Sequence, residues 1–309
     1  IGVRQRVQET IAELQYVADA AARALASKRS RCIGAVIPTL ANAIFADGIE
    51  AFESQLNLSS LSLMLTTSGY DSQHELTQVR TLIERGVDAV MLVGLDHNPL
   101  IYSLLKQRKI PYVLTWAYSS NCPHPCVGFN NYEAAKLIPL HLTTLGHKKF
   151  GIISGISTGN DRAADRLKGM EDALTAQGIT LAQGSVIECN YSIEAGRAAC
   201  RQLLTANAPP TAILCSNDVL ATGALLECQA SGIEVPGSVS ITGFDDLAIS
   251  ANLTPSLTTM HIPFKLMGQR AAQYLIDRLA GATPQTQQQL EVELRLRHST
   301  AAPKLPLLV

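Results

Sequence analysis

From residue 32 onward, short apolar runs alternate with amphipathic stretches of helical length. The apolar runs have hydrophobic residues at consecutive positions, which is typical of parallel strands that helices cover on both faces. This repeated order predicts a doubly wound parallel sheet in the first half of the chain. The predicted helices lie near 43–57, 73–85 and 98–108, and the predicted strands are 32–38, 61–67, 88–94 and 111–116.

A second series of the same kind follows. A further strand, a helix and a last strand indicate that the chain crosses back between two sheets, which would form a hinge. Ligands of open parallel sheets bind beyond the carboxyl ends of the strands, so we expect a binding cleft between the two sheets. The predicted strands are 150–155, 185–190, 211–216, 238–244, 257–262 and 289–297, with helices near 162–177, 193–206, 218–231 and 264–280.

The first 31 residues follow a different pattern. Apolar residues recur at helical spacing from Val3 to Leu14, and Asp19 can cap a second, alanine-rich helix over 20–27. This segment carries a net charge of +3 and the remainder carries −4, which together give the net charge of −1. The basic segment could face phosphate groups, or it could be an ordinary solvated helix face.

Composition is that of a globular protein with room for two cores, because the chain has 309 residues of which 47% are hydrophobic. No apolar run approaches the length of about 18 residues that a membrane span needs, and the N-terminus does not resemble a secretory signal. The seven cysteines are an odd number scattered from Cys32 to Cys228, which fits a reducing compartment. We therefore expect a cytoplasmic protein without a membrane span.

The motif CPHPC, with Cys122, His124 and Cys126, is the one cysteine pair that invites a metal interpretation. Structural zinc usually takes four ligands, and no second pair of cysteines or histidines has suitable spacing. A proline-stiffened loop with free thiols is the favoured interpretation, and no metal is expected.

The motif GISTG, at 155–159, matches the G-x-S-x-G pattern of hydrolases, with Ser157 as nucleophile and His261 or His298 downstream. Such an elbow needs a helix immediately after the serine, whereas 158–160 are predicted to be a loop. Neither a glycine-rich phosphate loop nor an acidic metal cluster is evident in the sequence. We therefore expect neither enzymatic activity nor a cofactor.

The segment 16–38, YVADAAARALASKRSRCIGAVIP, resembles the junction of headpiece, hinge helix and first core strand in the lac repressor family of bacterial transcriptional regulators. Spacing and order agree over almost the whole chain. TW at 115–116 and VGFNN at 127–131 resemble the branch that includes gluconate-type repressors. Further matches are ANAIFADGIEAFE (41–53), VGFNNYEAAK (127–136), LGHKKFGIISG (145–155), DRLKGMEDAL (165–174), CSNDVLATGALLE (215–227), VPGSVSITGFDD (235–246) and PSLTTMHIP (255–263).

This resemblance implies an α/β fold of two doubly wound parallel-sheet subdomains, periplasmic-binding-protein-like, joined by a three-stranded hinge. It also implies a homodimer, and it implies that most of the DNA-reading headpiece, including the helix for the major groove, is missing from this sequence. The implied divisions are a remnant of the helix-turn-helix headpiece and hinge helix at 1–30, an N-subdomain of 31–146 plus 261–290, and a C-subdomain of 147–260 plus 291–309.

Within the hinge helix, Leu25 matches the family leucine that wedges into the minor groove, with Ala22 and Arg23 beside it. Apolar wedges of this kind unstack a base step and bend the duplex. Leu25 could instead be a simple helix-packing residue. The sequence departs from the family's usual proline and asparagine before this helix by having Ala18 and Asp19, and the charge of Asp19 would repel nearby phosphate.

Aromatic residues at three family positions are candidates for stacking on the effector. Phe45 lies at the start of the first core helix, and Trp116, the single tryptophan, ends a strand on its carboxyl side. A large flat ring with one N–H donor suits the face of a sugar or a purine. Tyr191 matches an aromatic on the far side of the ligand. Ordinary core packing is the alternative for Phe45, and a half-buried structural tyrosine is the alternative for Tyr191.

Three polar residues complete the predicted effector site. Arg166 matches a family arginine that points into the cleft, where guanidinium can hold a hydroxyl pair or a carboxylate in two contacts. Asn217 and Asp245 each follow a strand, and together they offer donors and acceptors to a polyhydroxylated ligand. A surface position is the alternative for Arg166, and turn capping is the alternative for the other two. We expect Asp218 and Asp246 to be caps rather than ligands.

The sequence therefore predicts a repressor whose core binds a small-molecule effector, a sugar or sugar acid, and allosterically controls binding to operator DNA. The competing function is a periplasmic sugar-binding protein of a transport system, which has the same two-domain core. A transport receptor has no use for the basic segment before residue 32, and seven cysteines would be a liability in an oxidising compartment.

Overall fold

The computed structural model describes residues 2–15 and 29–304. Within them the chain forms helices α1 (Val3–Glu13), α2 (Ala43–Leu58), α3 (Ser72–Glu84), α4 (Pro99–Arg108), α5 (Asn131–Thr144), α6 (Asp161–Ala176), α7 (Ile193–Leu204), α8 (Asp218–Ala230) and α9 (Phe264–Leu279). The strands are β1 (Cys32–Ile37), β2 (Ser62–Thr67), β3 (Ala89–Val93), β4 (Tyr112–Thr115), β5 (Cys126–Gly128), β6 (Phe150–Gly155), β7 (Val186–Cys189), β8 (Ala212–Cys215), β9 (Ser240–Asp245), β10 (Thr258–His261), β11 (Gln287–Gln289) and β12 (Glu293–Arg295).

Two six-stranded sheets contain these strands. The first has the order β11-β5-β4-β3-β1-β2 and the second has the order β12-β10-β9-β8-β6-β7. Every pairing is parallel except that of β10 with β12. The predicted fold class, an α/β protein with two doubly wound parallel sheets, is confirmed. Strand order reverses between β1 and β3 in the first sheet and between β6 and β8 in the second, and ligands bind at such switch points.

The chain passes between the sheets three times. It leaves the first sheet after α5, returns through α9, which packs against α2, and crosses again between β11 and β12. The prediction of one strand over 289–297 is wrong, because this segment contributes two short strands to different sheets and cannot run straight through both. Apolar packing continues across the crossings, with the rings of Phe129 and Phe244 at a centroid distance of 6.0 Å.

Two elements were not predicted. Strand β5 has three residues, which is too short for a period to be recognised, and α5 contains Pro139, which interrupts an otherwise helical pattern. The remaining boundaries agree with the predicted ones to within about two residues, which is the usual uncertainty of helix ends.

Helix α1 has the predicted helical spacing, and its apolar side chains are exposed, including Val3 and Leu14 at 71% each. The predicted second helix and the hinge residues Ala22, Arg23 and Leu25 lie outside the described residues. Across 2–15 and 29–304, no helix has both the length and the apolar character to cross a membrane.

Candidate functional site

Three helices begin at the cleft with an asparagine cap. Asn42 caps α2, Asn160 caps α6 and Asn217 caps α8, and each side-chain oxygen accepts a hydrogen bond from a backbone N–H of the first turn. The caps follow β1, β6 and β8, which are strands at the two switch points. Helix N-termini carry partial positive charge, so their convergence favours oxygen-rich or anionic groups in the cleft.

Arg166 lies on the buried face of α6, where backbone carbonyl groups fix its orientation. Its Nη1 donates to the carbonyl of Ser216 at 2.8 Å, and its Nε donates to the carbonyl of Arg162 at 3.2 Å. The guanidinium carbon is 4.7 Å from the ring centroid of Phe244. Nη1 is also 3.6 Å from Oδ1 of Asp245, a charge contact longer than a hydrogen bond. Arg166 is therefore a fixed cation at the base of the cleft.

Two buried polar atoms beside this cation have no hydrogen-bond partner in the described part of the chain, namely Oδ2 of Asp245 and Nδ2 of Asn217. Asn217 already uses Oδ1, which accepts from the backbone N–H of Leu220 at 2.9 Å. Burial raises the pKa of Asp245 well above its usual range, although the nearby Arg166 lowers it. An unpaired buried polar group costs about 1–3 kcal/mol, so a hydroxyl group that donates to one atom and accepts from the other would remove that cost.

The aromatic residues form a layer behind these polar groups. The ring centroids of Phe45 and Trp116 are 5.4 Å apart, and those of Trp116 and Phe264 are 6.3 Å apart. Trp116 is only 2% exposed, and its Nε1 has no partner among the described residues. Gly48 allows this packing, because a Cβ there would lie 2.6 Å from the indole ring. Trp116 thus supports Phe45 from behind.

The cleft contains an inner cavity and an outer chamber. The inner cavity has a volume of about 10 Å³, which is room for one water at most, whereas the outer chamber has about 670 Å³. Asn42, Tyr70, Asn160 and Tyr191 line both spaces, and the rings of the two tyrosines have a centroid distance of 6.4 Å. These four side chains separate the chamber from Arg166.

Hydrogen bonds across the cleft join the start of α6 to the loop after β3. Oδ2 of Asp161 accepts from the backbone N–H groups of Leu95 at 2.6 Å and Asp96 at 3.3 Å. Nη1 of Arg162 donates to the carbonyl of Val93 at 3.1 Å. The side chains of Asp161 and Arg162 also form an ion pair with each other at 2.7 Å. We call Asp161, Arg162 and the segment 93–96 the cleft latch. Because it connects the two sheets, the latch opposes cleft opening.

Five of the six predicted effector residues line the inner cavity together, and Trp116 is the one that does not. Their part in binding stays a prediction. Asn217 caps a helix, which was the alternative interpretation, and its Nδ2 is still an unpartnered donor. Sequence reasoning missed four cleft residues that follow the carboxyl ends of strands, the same rule by which Asn217 was found. They are Asn42, Tyr70, Asn160 and Arg162.

The expectation that Asp218 and Asp246 are caps is wrong. Asp218 is buried and accepts hydrogen bonds from Ser250 Oγ at 2.6 Å and the backbone N–H of Leu247 at 2.8 Å, so it ties α8 to another loop. Asp246 forms an ion pair with Arg297 at 2.6 Å, and its Oδ2 is in hydrogen-bond contact with Nδ1 of His261 at 2.9 Å. Both carboxylates therefore make long-range contacts that a local capping rule cannot anticipate.

The two remaining sequence motifs, GISTG at 155–159 and CPHPC at 122–126, have ordinary surroundings. Helix α6 begins at Asp161, so 158–160 are a loop as predicted and Ser157 does not lie in a hydrolase elbow. In CPHPC, Nδ1 of His124 is 2.6 Å from the hydroxyl of Tyr112. Within the ranges that the structure describes, no cluster of three or more His, Cys, Asp or Glu residues is suited to a metal ion.

Comparison with known proteins agrees with this architecture. A family model described as periplasmic binding protein-like domain matches residues 140–300. The HTH-type transcriptional repressor PurR of Salmonella arizonae is 30% identical over 298 residues, which cover 95% of this chain and 86% of the relative. Transcription regulator GntR of Chromobacterium violaceum has a TM-score of 0.83 at 30% identity, covering 87% of this chain and 99% of that chain. A LacI family transcriptional regulator from Silicibacter pomeroyi has a TM-score of 0.79 at 26% identity, covering 87% and 98%.

The two parallel sheets, with polar residues where their carboxyl ends meet, define a ligand-binding core of the periplasmic-binding-protein-like class. The basic segment before residue 32 and the similarity to known repressors then indicate that this core belongs to a transcriptional regulator. The chain belongs to the LacI family of transcriptional regulators. Its relatives are transcriptional repressors rather than enzymes or transport receptors.

Proposed function

We propose that this regulator responds to a sugar or sugar acid that binds at the inner cavity and thereby changes operator binding. The observation that carries the proposal is the unpartnered pair at the cavity, Oδ2 of Asp245 and Nδ2 of Asn217, beside the fixed guanidinium of Arg166. A polyol offers adjacent hydroxyl groups to an acceptor and a donor at once. A carboxylate would in addition bind the guanidinium.

The ligand body extends toward the outer chamber, since the inner cavity alone is too small for it. Binding therefore requires Tyr70 and Tyr191 to move apart, which places both rings against the apolar faces of the ligand. Phe45 contacts the ligand directly in this arrangement, and the predicted contact of Trp116 requires a further opening of the cleft.

The DNA-binding half of the proposal concerns residues before the core. Leu25, with Ala22 and Arg23, would wedge into the minor groove from a hinge helix, and two such helices pair in a homodimer. Effector and operator must influence each other's affinity equally, by about 1–3 kcal/mol in such systems. The proposed divisions remain 1–30 for the headpiece remnant and hinge, 31–146 plus 261–290 for the N-subdomain, and 147–260 plus 291–309 for the C-subdomain.

The test is calorimetry with matched pairs of ligands, aldonic acids and the corresponding alditols, on wild type and on Arg166→Ala. Loss of charge-assisted hydrogen bonds worth about 1.5–3 kcal/mol should weaken binding about 10- to 150-fold. Asp245→Asn serves as an isosteric second variant, which changes the acceptor without leaving a cavity. Arg80→Ala, an exposed arginine on α3, is the matched control and should leave affinity unchanged.

Arg166→Lys separates a neutral sugar from a sugar acid. An ammonium group can replace guanidinium toward hydroxyl groups, but it cannot reproduce a planar two-contact grip on a carboxylate. The alditol should therefore retain most of its affinity for this variant, whereas the aldonic acid should lose most of it. A nucleobase as the tightest ligand, or an Arg166→Ala variant within about twofold of wild type, would show the assignment to be wrong.

A further inference from the structure

A second cavity, of about 510 Å³, lies at the opposite end of the first sheet from the cleft. It is bounded by the start of β4 at Tyr112, by Pro125 just before β5, and by the last turns of α4 and α9. Its volume is within the range of about 300–1,000 Å³ that is typical of small-molecule sites. We call it the basal cavity.

The floor of the basal cavity is aromatic. The rings of Tyr102 and His124 are stacked with a centroid distance of 3.7 Å and an interplanar angle of 8°. The Tyr112 hydroxyl lies 2.6 Å from Nδ1 of His124, a hydrogen bond whose direction depends on the tautomer of the imidazole, and burial lowers the pKa of His124, which favours the neutral ring. The floor is therefore a rigid, flat platform without a cation of its own.

The rim of the basal cavity is cationic. Lys106 lies in the last turn of α4, Lys109 is its C-cap, and Arg278 lies in the last turn of α9. None of the three forms an ion pair with a carboxylate in the described part of the chain, and no acidic residue lines the cavity. The C-termini of the two helices offset only part of this charge, because each carries about half a negative charge.

The side chain of Tyr274 also lines the basal cavity. Tyr274 is only 4% exposed as a whole, and its hydroxyl, which makes no hydrogen bond to a residue of the described ranges, is accessible from the cavity. Burial raises the pKa of Tyr274, so the hydroxyl keeps its proton and can donate it to a ligand. An accessible hydroxyl without a partner in the protein is free to donate to an acceptor group of a ligand in the cavity.

We propose that the basal cavity is a second ligand site, which takes a small organic anion with a planar ring. The ring stacks on the aromatic floor, and the anionic group lies between Arg278, Lys106 and the hydroxyl of Tyr274. The site is independent of the proposed effector cleft. It adjoins the entry of the chain into the core, since Nη2 of Arg29 donates to the carbonyl of Leu279 at 3.0 Å, one residue beyond Arg278.

The probe is 2-naphthoate, with its neutral analogue 2-naphthamide, titrated calorimetrically into the protein. We expect 2-naphthoate to bind at least about tenfold more tightly than 2-naphthamide, since the two differ only in the charged group. Lys106→Gln combined with Arg278→Gln should weaken 2-naphthoate by about tenfold or more. The matched control is Arg270→Gln, an exposed arginine two turns earlier on α9, which should leave binding unchanged.

Two further variants keep the proposal falsifiable. Tyr274→Phe removes only the hydroxyl and should weaken 2-naphthoate by about three- to tenfold, even if the double variant folds poorly. Arg166→Ala, in the cleft, should leave the affinity for 2-naphthoate unchanged. Equal binding of the amide, indifference to the rim variants, loss on Arg166→Ala, or no binding at millimolar concentration would each overturn the proposal.

Discussion

Asp218 illustrates how much one buried carboxyl group can matter in this fold. It is completely buried at the start of α8, and burial raises its pKa to about 6 although hydrogen bonds from Ser250, Thr259 and Leu247 lower it. The folded state therefore binds this proton more tightly than the unfolded state, in which the pKa is about 3.9. Stability from this group is greatest below the unfolded pKa and falls as the pH rises through the folded one.

We predict that Asp218→Asn removes this pH dependence. Between pH 4 and pH 7, the free energy of unfolding of the variant should rise by about 2 kcal/mol relative to wild type, because the amide has no charge to desolvate. Urea unfolding of both proteins across this range measures the difference. Asp47→Asn, at an exposed position on α2, is the control and should show no comparable trend. If the free energies of unfolding of Asp218→Asn and wild type differed by the same amount at every pH, burial would not disfavour the ionised carboxylate of Asp218.

At the scale of elements, α6 combines two functions on its first turns. Its first residue, Asp161, belongs to the cleft latch, and Arg166 lies slightly more than one turn later at the inner cavity. Helices move as rigid units in packed proteins, so a ligand that displaces Arg166 also pulls on the latch. The element would therefore connect the proposed effector binding to the distance between the sheets.

We predict that Asp161→Ala loosens the latch without unfolding the core. Charge-assisted hydrogen bonds contribute about 1.5–3 kcal/mol, so local opening at Leu95 and Asp96 should increase about 10- to 150-fold. Amide hydrogen exchange of a peptide that spans 93–98 measures this opening. Asp172→Ala, on the same helix but paired with Lys168 and Tyr132, is the control and should leave this peptide unchanged. Equal exchange in wild type and Asp161→Ala would mean that the latch does not restrain the cleft.

At the scale of the whole molecule, the proposed control of operator binding would use two copies of the chain. Two-fold symmetric proteins bind two half-sites about one helical turn apart, and closed dimers are the commonest symmetric assemblies. In the proposed homodimer, an effector-driven change in one core would alter the spacing of the two segments that precede the cores. A homodimer would therefore match the two-fold symmetry of paired half-sites.

We predict that sedimentation at micromolar concentration gives about twice the chain mass of 33.1 kDa. The Asp161→Ala variant provides a comparison, since the latch lies within one chain and its loss should leave the mass unchanged. A single-chain mass across the whole micromolar range would contradict the two-fold arrangement.

The sequence by itself determined the helices and strands and the kind of side chains that line the cleft. Apolar runs and helical periods depend on near neighbours in the chain, so strands such as β1 and β6 were predicted with small errors. Residues after strand ends, such as Asn217 and Asp245, could be assigned to one cleft because parallel strands deliver their carboxyl ends to the same edge. The sequence resemblance supplied Phe45 and Arg166.

Only the tertiary structure decided how these parts meet. The position of Trp116 behind Phe45 depends on how α2 and α9 pack on the first sheet. The division of 287–295 between two sheets and the latch from Asp161 to Leu95 depend on how closely the two sheets approach. Local patterns carry no information about that distance. The same reason explains why Asp218 was mistaken for a cap, since its partners lie about thirty or more residues away in the chain and come together only when the sheets and helices pack.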